Sequence, residues 1–459
     1  MLNLSVRNIV KAVGGEYHGP IELIDREITG VSKDSREIEE GYLYIPFVGE
    51  RADGHAYIPQ VFEKGALITF SERELQLDVP YIKVNSSGEA LKSLAAFYRK
   101  GLKTQIIGIV GSVGKTSTKE MVASVLEQKF KVLKTAGNLN NEIGMPLTLL
   151  NIREEHEIAV VEMGISDFDE MTRLAQVARP DMVIMTNIGE CHLENLKDKA
   201  GVLKAKSEVI PYIKDYGVLV LNDDDEYLTT IKDDRRIEVL RYGIKSGNVL
   251  KAKATEVTPD GSNGISFKLT LGKEERDVTI PIPGEHNVYN ALAAAVIGAV
   301  NKLNIDEIKE GIESIKTLSG RNNKIEANGI TIFDDCYNAN PVSMKAALSV
   351  LKDAKGRKIA VLGDMGELGD TTEELHYKVG EYAGTCGIDM IVLSGTLSRK
   401  IAEGALTANP MQMVCHFDSV DEMTEFLKEE KKSGDTILVK ASHFMKYENV
   451  VEALKKEKV

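Results

Sequence analysis

The stretch GIVGSVGKTSTKEM, residues 108–121, decides the fold: an apolar strand runs into a glycine-rich turn and then a helix. The run 105–110 delivers the chain to Gly111 and Gly114, whose missing side chains let backbone N–H groups close around an anion at a helix N-terminus. Lys115 adds a movable positive charge, and Thr116 places a hydroxyl where it reaches a magnesium ion bridging phosphates. The spacing is the shorter GxxGK[ST] form, because Ile109 stands where the longer loop carries its first glycine. Gly111, Ser112, Val113, Gly114, Lys115, Thr116 and Ser117 are therefore phosphate-binding candidates. A glycine turn capping an ordinary helix is the plain alternative.

Working outward, strands and helices alternate from residue 105 to about 225. IIGIVG, IAVVEMG, DMVIMTNIG and GVLVLN are apolar almost end to end, as in a parallel sheet covered on both faces. Met121, Val122, Val125 and Leu126 recur at helical spacing. Ligands of such a doubly wound sheet collect at the carboxyl ends of its strands. Glu162 ends one strand and is placed to hold magnesium; His192 lies just past another, in TNIGECHLE.

Lys206 is the odd residue of this region. In KDKAGVLKAKSEVIPYI it falls at the centre of the apolar face made by Val202, Leu203, Val209 and Ile210, while Lys204 and Glu208 point away. Either its stem snorkels to water, or the amine is neutral and able to form a carbamate, an anion that ligates metal as a carboxylate does. Asn138, Asn140 and Asn141 cluster in a loop, as polar ligand contacts or as turn chemistry.

With 459 residues the chain needs several cores, and three parts are expected. Residues 1–100 form a small α/β domain with buried strands at 42–48 and 66–70. Its DSR (34–36) and GERADGH (49–55) loops are open to ligand contact. Residues 101–318 form the central P-loop domain, including an antiparallel subdomain folded against the sheet near 236–283. PGEHNVYNALAAAVIGAV then opens a helix, with Asn287 as a possible cap and Asn290 as the better ligand candidate. The segment LSGRNN, 318–323, is a linker into a Rossmann-like domain, 319–459, which has no GxGxxG and so no expected nicotinamide or flavin.

A net charge of −13 argues against general affinity for nucleic acid or anionic membranes. Four scattered cysteines without framework spacing fit a reducing compartment, and no apolar run approaches the length of a membrane span. A soluble cytoplasmic protein is the expectation.

GSVGKTSTKEM, GNLNNEIGMPLTLL, VEMG, TNIGECHLE, AKSEV, GEHNVYNALAAA, SGRNN, DDCYNANP and VLGDMGELG, in this order, resemble the Mur ligases over the whole chain. The resemblance is nearest to the member that adds D-alanyl-D-alanine to a UDP-N-acetylmuramoyl-tripeptide, and it implies a cytoplasmic step of peptidoglycan precursor synthesis. ATP would phosphorylate the terminal carboxylate, and the dipeptide amine would attack the acyl phosphate. The resemblance assigns Lys115, His192 and Lys206 to catalysis. Two magnesium ions would be held by Thr116, Glu162, His192 and a carbamate on Lys206. Asn287 and Asn290 would lie near adenine, Arg321 and Asp335 would reach ATP, Ser35 and Arg36 would hold the UDP end, and Asn138 and Asn141 the sugar-peptide portion. A monomer with mobile domains is implied. The chain departs from the family pattern at Val110, Val113 and His443, and the last weakens any assignment of C-terminal contacts to the dipeptide. Another Mur-type ligase, folylpolyglutamate synthase and a P-loop switch making no bond are the rival readings.

Overall fold

The computed structural model describes residues 1, 3–49, 52–233, 235–248 and 250–456, so the loop 49–55 lies partly outside the described residues. Three sheets follow one another along the chain. In the first, the strands lie in the order Glu16–His18, Tyr81–Lys83, Ile68–Ser71, Leu43–Tyr44 and Val31–Ser32, with only the Glu16–His18 pairing antiparallel. The two expected strands are present but short, and Val48 is exposed rather than buried.

The helix Ser87–Gly101 joins this part to the next. Ser86 caps it by accepting from the Glu89 N–H at 3.3 Å, and Leu91, Leu94, Ala95 and Tyr98 are buried. Arg99 near its end is buried too, because it reaches across to the Ala178 carbonyl (2.8 Å) and Asp181 (2.9 Å). Asp181 also accepts from the Ile106 N–H at 2.8 Å, so one carboxylate ties this helix to the start of the P-loop strand.

The central sheet has nine strands. Gln105–Val110 sits between Ile158–Glu162 and Met182–Met185, with Val132–Lys134 at one edge. On the other side follow Val218–Asn222, Glu238–Gly243, Ala252–Pro259, Ile265–Leu271 and Glu274–Ile280. The expected antiparallel subdomain folded against the sheet near 236–283 is instead part of the sheet itself. Glu238–Gly243 pairs in parallel with Val218–Asn222, Ala252–Pro259 continues in parallel, and only the last two pairings are antiparallel. The alternation of Ile265, Phe267 and Leu269 is that of a strand with one face buried, and it belongs to the same sheet, one strand in from its edge.

Met121, Val122, Val125 and Leu126 of the helix Lys115–Leu126 bury their shared face as the spacing requires. They pack with the helix Glu285–Val300, whose alanines at 291 and 293–295 are fully buried and let it lie close.

In the C-terminal sheet the order is Asn323–Ala327, Ile330–Asp334, Thr436–Lys440, Lys358–Leu362, Met390–Ser394 and Met413–Phe417. All neighbours pair in parallel except the first two, so the expected linker runs at Asn323 into a strand of its own. Among the described residues no helix is long and apolar enough to cross a membrane.

Candidate active site

The carboxyl ends of the central strands, the start of the alanine-rich helix and the loops of the C-terminal sheet enclose one cleft of about 880 Å³. Its floor is the P-loop. A Cβ on Gly111 would stand 1.9 Å from the Thr186 hydroxyl, so only glycine lets the neighbouring strand end pass. Gly114 has φ 80°, the left-handed turn that opens the helix Lys115–Leu126. The loop is clamped from TNIG: Asn187 accepts from the Val113 N–H at 3.0 Å, while Thr186 (2.8 Å) and Asn187 (3.0 Å) donate to the Val113 carbonyl. Ser112 exchanges hydrogen bonds with the backbone of Gly189. The same segment that carries His192 thus fixes the loop's shape.

Lys115 folds back to donate to the Gly111 carbonyl at 2.9 Å. Burial, and then the nearby Lys206 amine, push its pKa down to about 8. A phosphate in the loop supplies the anion that this cation lacks.

Thr116 donates to Glu162 Oε2 at 3.3 Å, and Asn140 Nδ2 reaches the same oxygen at 3.3 Å. The other oxygen, Oε1, is buried without a hydrogen bond and has the Lys119 ammonium 3.3 Å away. Glu162 is 1% exposed, so its charge must be answered locally. Among the described residues no three His, Cys, Asp or Glu side chains gather as a metal site. With Lys119 on Oε1, the Thr116 hydroxyl and the Oε2 it faces fit a magnesium ion that takes its remaining ligands from phosphate and water.

His192 has a left-handed backbone (φ 52°), and its Nδ1 stands 2.6 Å from Oε2 of Glu367, a residue of the C-terminal loop. Lys206 does not snorkel: it is 1% exposed, and among the described residues its amine has no hydrogen-bond or ion-pair partner. Burial drives its pKa down, and the structure therefore overturns the first of the two expectations for it.

Asn290 and Asn287 are buried at the cleft wall. Asn290 accepts from Thr118 (2.9 Å) and donates to Asn287 (3.1 Å), which donates to the Pro283 carbonyl (2.9 Å). Asn287 is not the helix cap, since Gly284 occupies that position. From the C-terminal side, Arg321 stacks 4.0 Å from the centre of the Tyr337 ring. Asp335 pairs with the buried Lys440 at 2.6 Å. Arg321, Asp335, Asn287 and Asn290 all face the cleft.

Asn138 and Asn141 also line the cleft, although the Asn141 side-chain Oδ1 already accepts from the Ile143 and Gly144 N–H groups. Ser35 and Arg36 are not brought to it. Arg36 forks onto Asp34, and both backbone carbonyls accept from Lys64. The sequence does not point to Lys119 or Glu367, and it does not set Asn140 apart from Asn138 and Asn141. The one signal for Lys119 is its place three residues after Thr116, on the same helix face.

The chain belongs to the Mur ligase family, whose members are ATP-dependent ligases. The Mur ligase middle domain matches residues 109–298, the Mur ligase, glutamate ligase domain matches 320–443, and the Mur ligase family, catalytic domain matches 27–134. Within the family, the chain is similar to the UDP-N-acetylmuramoyl-tripeptide–D-alanyl-D-alanine ligase of Bacillus subtilis (strain 168), with 36% identity over 99% of each chain. It is similar in structure to MurF from Acinetobacter baumannii, with a TM-score of 0.89, 30% identity and 99% of each chain covered. It also resembles the MurF ligase from Thermotoga maritima solved in complex with ADP, with a TM-score of 0.82 and 28% identity over 93% of this chain and 97% of that one.

Proposed function

We infer that this chain joins D-alanyl-D-alanine to a UDP-N-acetylmuramoyl-tripeptide at the expense of ATP, a step of peptidoglycan precursor synthesis. The observation that carries this reading is full-length similarity to the ligase of that name, together with one cleft in which the P-loop faces Asn287 and Asn290 on one side and Arg321 and Asp335 on the other.

The reaction brings an anionic carboxylate to an anionic phosphoryl group, so its barrier is one of charge and position. Lys115 stands over the loop to neutralise the transferring phosphoryl group. The carboxylate oxygen bonds to the γ-phosphorus as the bond to ADP breaks, giving an acyl phosphate. The amine then attacks the carbonyl carbon, and phosphate leaves from the tetrahedral intermediate.

Magnesium, when bound, supplies positive charge to the phosphate oxygens. Thr116 and Glu162 are the residues to hold one ion, with His192 and a carbamate on Lys206 for a second. A neutral, buried Lys206 amine is fit to add to carbon dioxide, forming an N–C bond and releasing a proton. Asn287, Asn290, Arg321 and Asp335 are assigned to the nucleotide, and Asn138 and Asn141 to the sugar-peptide portion. We assign the UDP end to the N-terminal part, in the region of Ser35 and Arg36. The chain is taken to act as a cytoplasmic monomer.

The acyl-phosphate route is tested with tripeptide labelled with ¹⁸O in its terminal carboxylate. One labelled oxygen is expected in the released phosphate. Phosphate free of label contradicts the route.

A further inference from the structure

Among the described residues six carboxylates line the cleft, and five of them are already committed. Glu120 pairs with Lys119 (3.0 Å) and Lys134 (2.6 Å). Glu142 pairs with Arg173 (2.6 Å) and Lys92 (3.3 Å). Glu162 faces Lys119, and Asp335 is held by Lys440. Glu170 accepts from the Ser166 and Asp167 N–H groups. Glu367 differs from all of these. Its side chain is 60% exposed, and among the described residues it has no lysine or arginine partner and its one ion pair is with the His192 ring.

The backbone presents Glu367 to the cleft. Its φ of 63° is uncommon for a residue with a side chain. The preceding residue, Gly366, is fixed by its N–H to the Ser442 hydroxyl at 2.9 Å. Beside it the Phe444 ring is 62% exposed, and it would pack 3.3 Å from a Cβ on Gly366. An uncommitted carboxylate next to an exposed apolar ring suits a small amphipathic cation. The reaction requires one, since the incoming amino group arrives as an ammonium and must meet the acyl carbon made on the P-loop side.

We propose that Glu367 is the residue that receives the ammonium group of the incoming amino substrate, with Phe444 beside its first side chain. This deepens the ligase reading and depends on it. Glu170 also lacks a cationic partner but is held by the Ser166 and Asp167 N–H groups; once His192 turns to other ligands, Glu367 is, among the described residues, the carboxylate of the cleft left with neither a hydrogen bond nor an ion pair, and the ammonium replaces the imidazole.

The experiment compares wild type and Glu367→Gln with ATP, UDP-N-acetylmuramoyl-tripeptide and either D-alanyl-D-alanine or hydroxylamine. Hydroxylamine is mostly uncharged near neutral pH and traps the acyl phosphate as a hydroxamate without an ammonium-binding residue. In the variant the dipeptide KM is expected to rise about 10- to 100-fold, the worth of a hydrogen bond to a charged group. The KM values for ATP and tripeptide, and the rate of hydroxamate formation, are expected to stay at the wild-type level. An unchanged dipeptide KM overturns the proposal. So does an equal fall in dipeptide coupling and hydroxamate formation, which assigns Glu367 to holding the domains or His192 in place. Wild-type enzyme that couples no dipeptide strikes the ligase reading and this proposal together. Intact wild-type coupling with an unchanged KM in the variant strikes the proposal alone.

Discussion

Lys119 Nζ stands 3.3 Å from Glu162 Oε1, and both side chains are almost wholly shut from water, at 2% and 1% exposure. The lysine also donates to the Thr135 carbonyl at 2.7 Å. It therefore occupies one oxygen of the carboxylate and leaves the other turned to Thr116. Lys119→Met strips a buried carboxylate of its cation and should destabilise the fold by about 3–5 kcal/mol, as removal of one partner of a buried pair does. Adding Glu162→Gln should recover part of the loss. Urea unfolding of the two single variants and the double variant checks this: strictly additive losses would mean that the two groups do not interact.

Lys206 gives a second prediction. Lys206→Ala should lower ligase activity by about 100- to 1,000-fold, the range for removing one preorganised charge from an active site. Short carboxylic acids added to the assay should restore part of it by entering the vacated space. Activity close to normal, or no rescue at any acid concentration, would contradict the carbamate.

The low pKa of Lys115 makes nucleotide binding depend on pH. Below about 8 the amine of the free protein is charged, and between that value and the ordinary lysine range it is neutral. Phosphate oxygens favour the charged form. ADP binding at about pH 9 should therefore take up close to one proton, against almost none at about pH 7, and affinity should fall as pH rises, by at most about tenfold per unit. Calorimetry in buffers of different ionisation enthalpy reads the uptake directly. Equal uptake at both pH values would contradict the shift.

Gly111→Ala forces a methyl group to within 1.9 Å of the Thr186 hydroxyl. The loop or the strand end must shift, at a cost of about 1–3 kcal/mol, and ADP affinity should fall with it. Thr186→Ala in the same chain should relieve some of the strain, although Thr186 also donates to the Val113 carbonyl. Thermal shift with and without ADP measures both effects. Wild-type affinity in Gly111→Ala would show that the loop has room the structure does not give it.

What could be read from the sequence was whatever is local. The P-loop strand, turn and helix are one contiguous stretch, and the misplaced Lys206 is visible from helical spacing alone, so the chain announces both. The alternation in 265–271 correctly signals an antiparallel strand, but no local pattern says that it extends the central sheet, because that depends on Glu238–Gly243 pairing in parallel with Val218–Asn222. Asn140 looked the same as its neighbours in the loop. Only the fold turns it, rather than Asn141, toward Glu162. Glu367 was hidden for a like reason: its meaning comes from a contact with His192, 174 residues of intervening chain away.

The most direct test of the account is product formation itself. Purified protein, ATP, magnesium and UDP-N-acetylmuramoyl-tripeptide are incubated with D-alanyl-D-alanine or with single amino acids, and products are read by mass spectrometry beside phosphate release. A UDP-linked pentapeptide is expected with the dipeptide alone, and one phosphate for each bond formed. Phosphate release and bond formation with single amino acids, and none with the dipeptide, would contradict it.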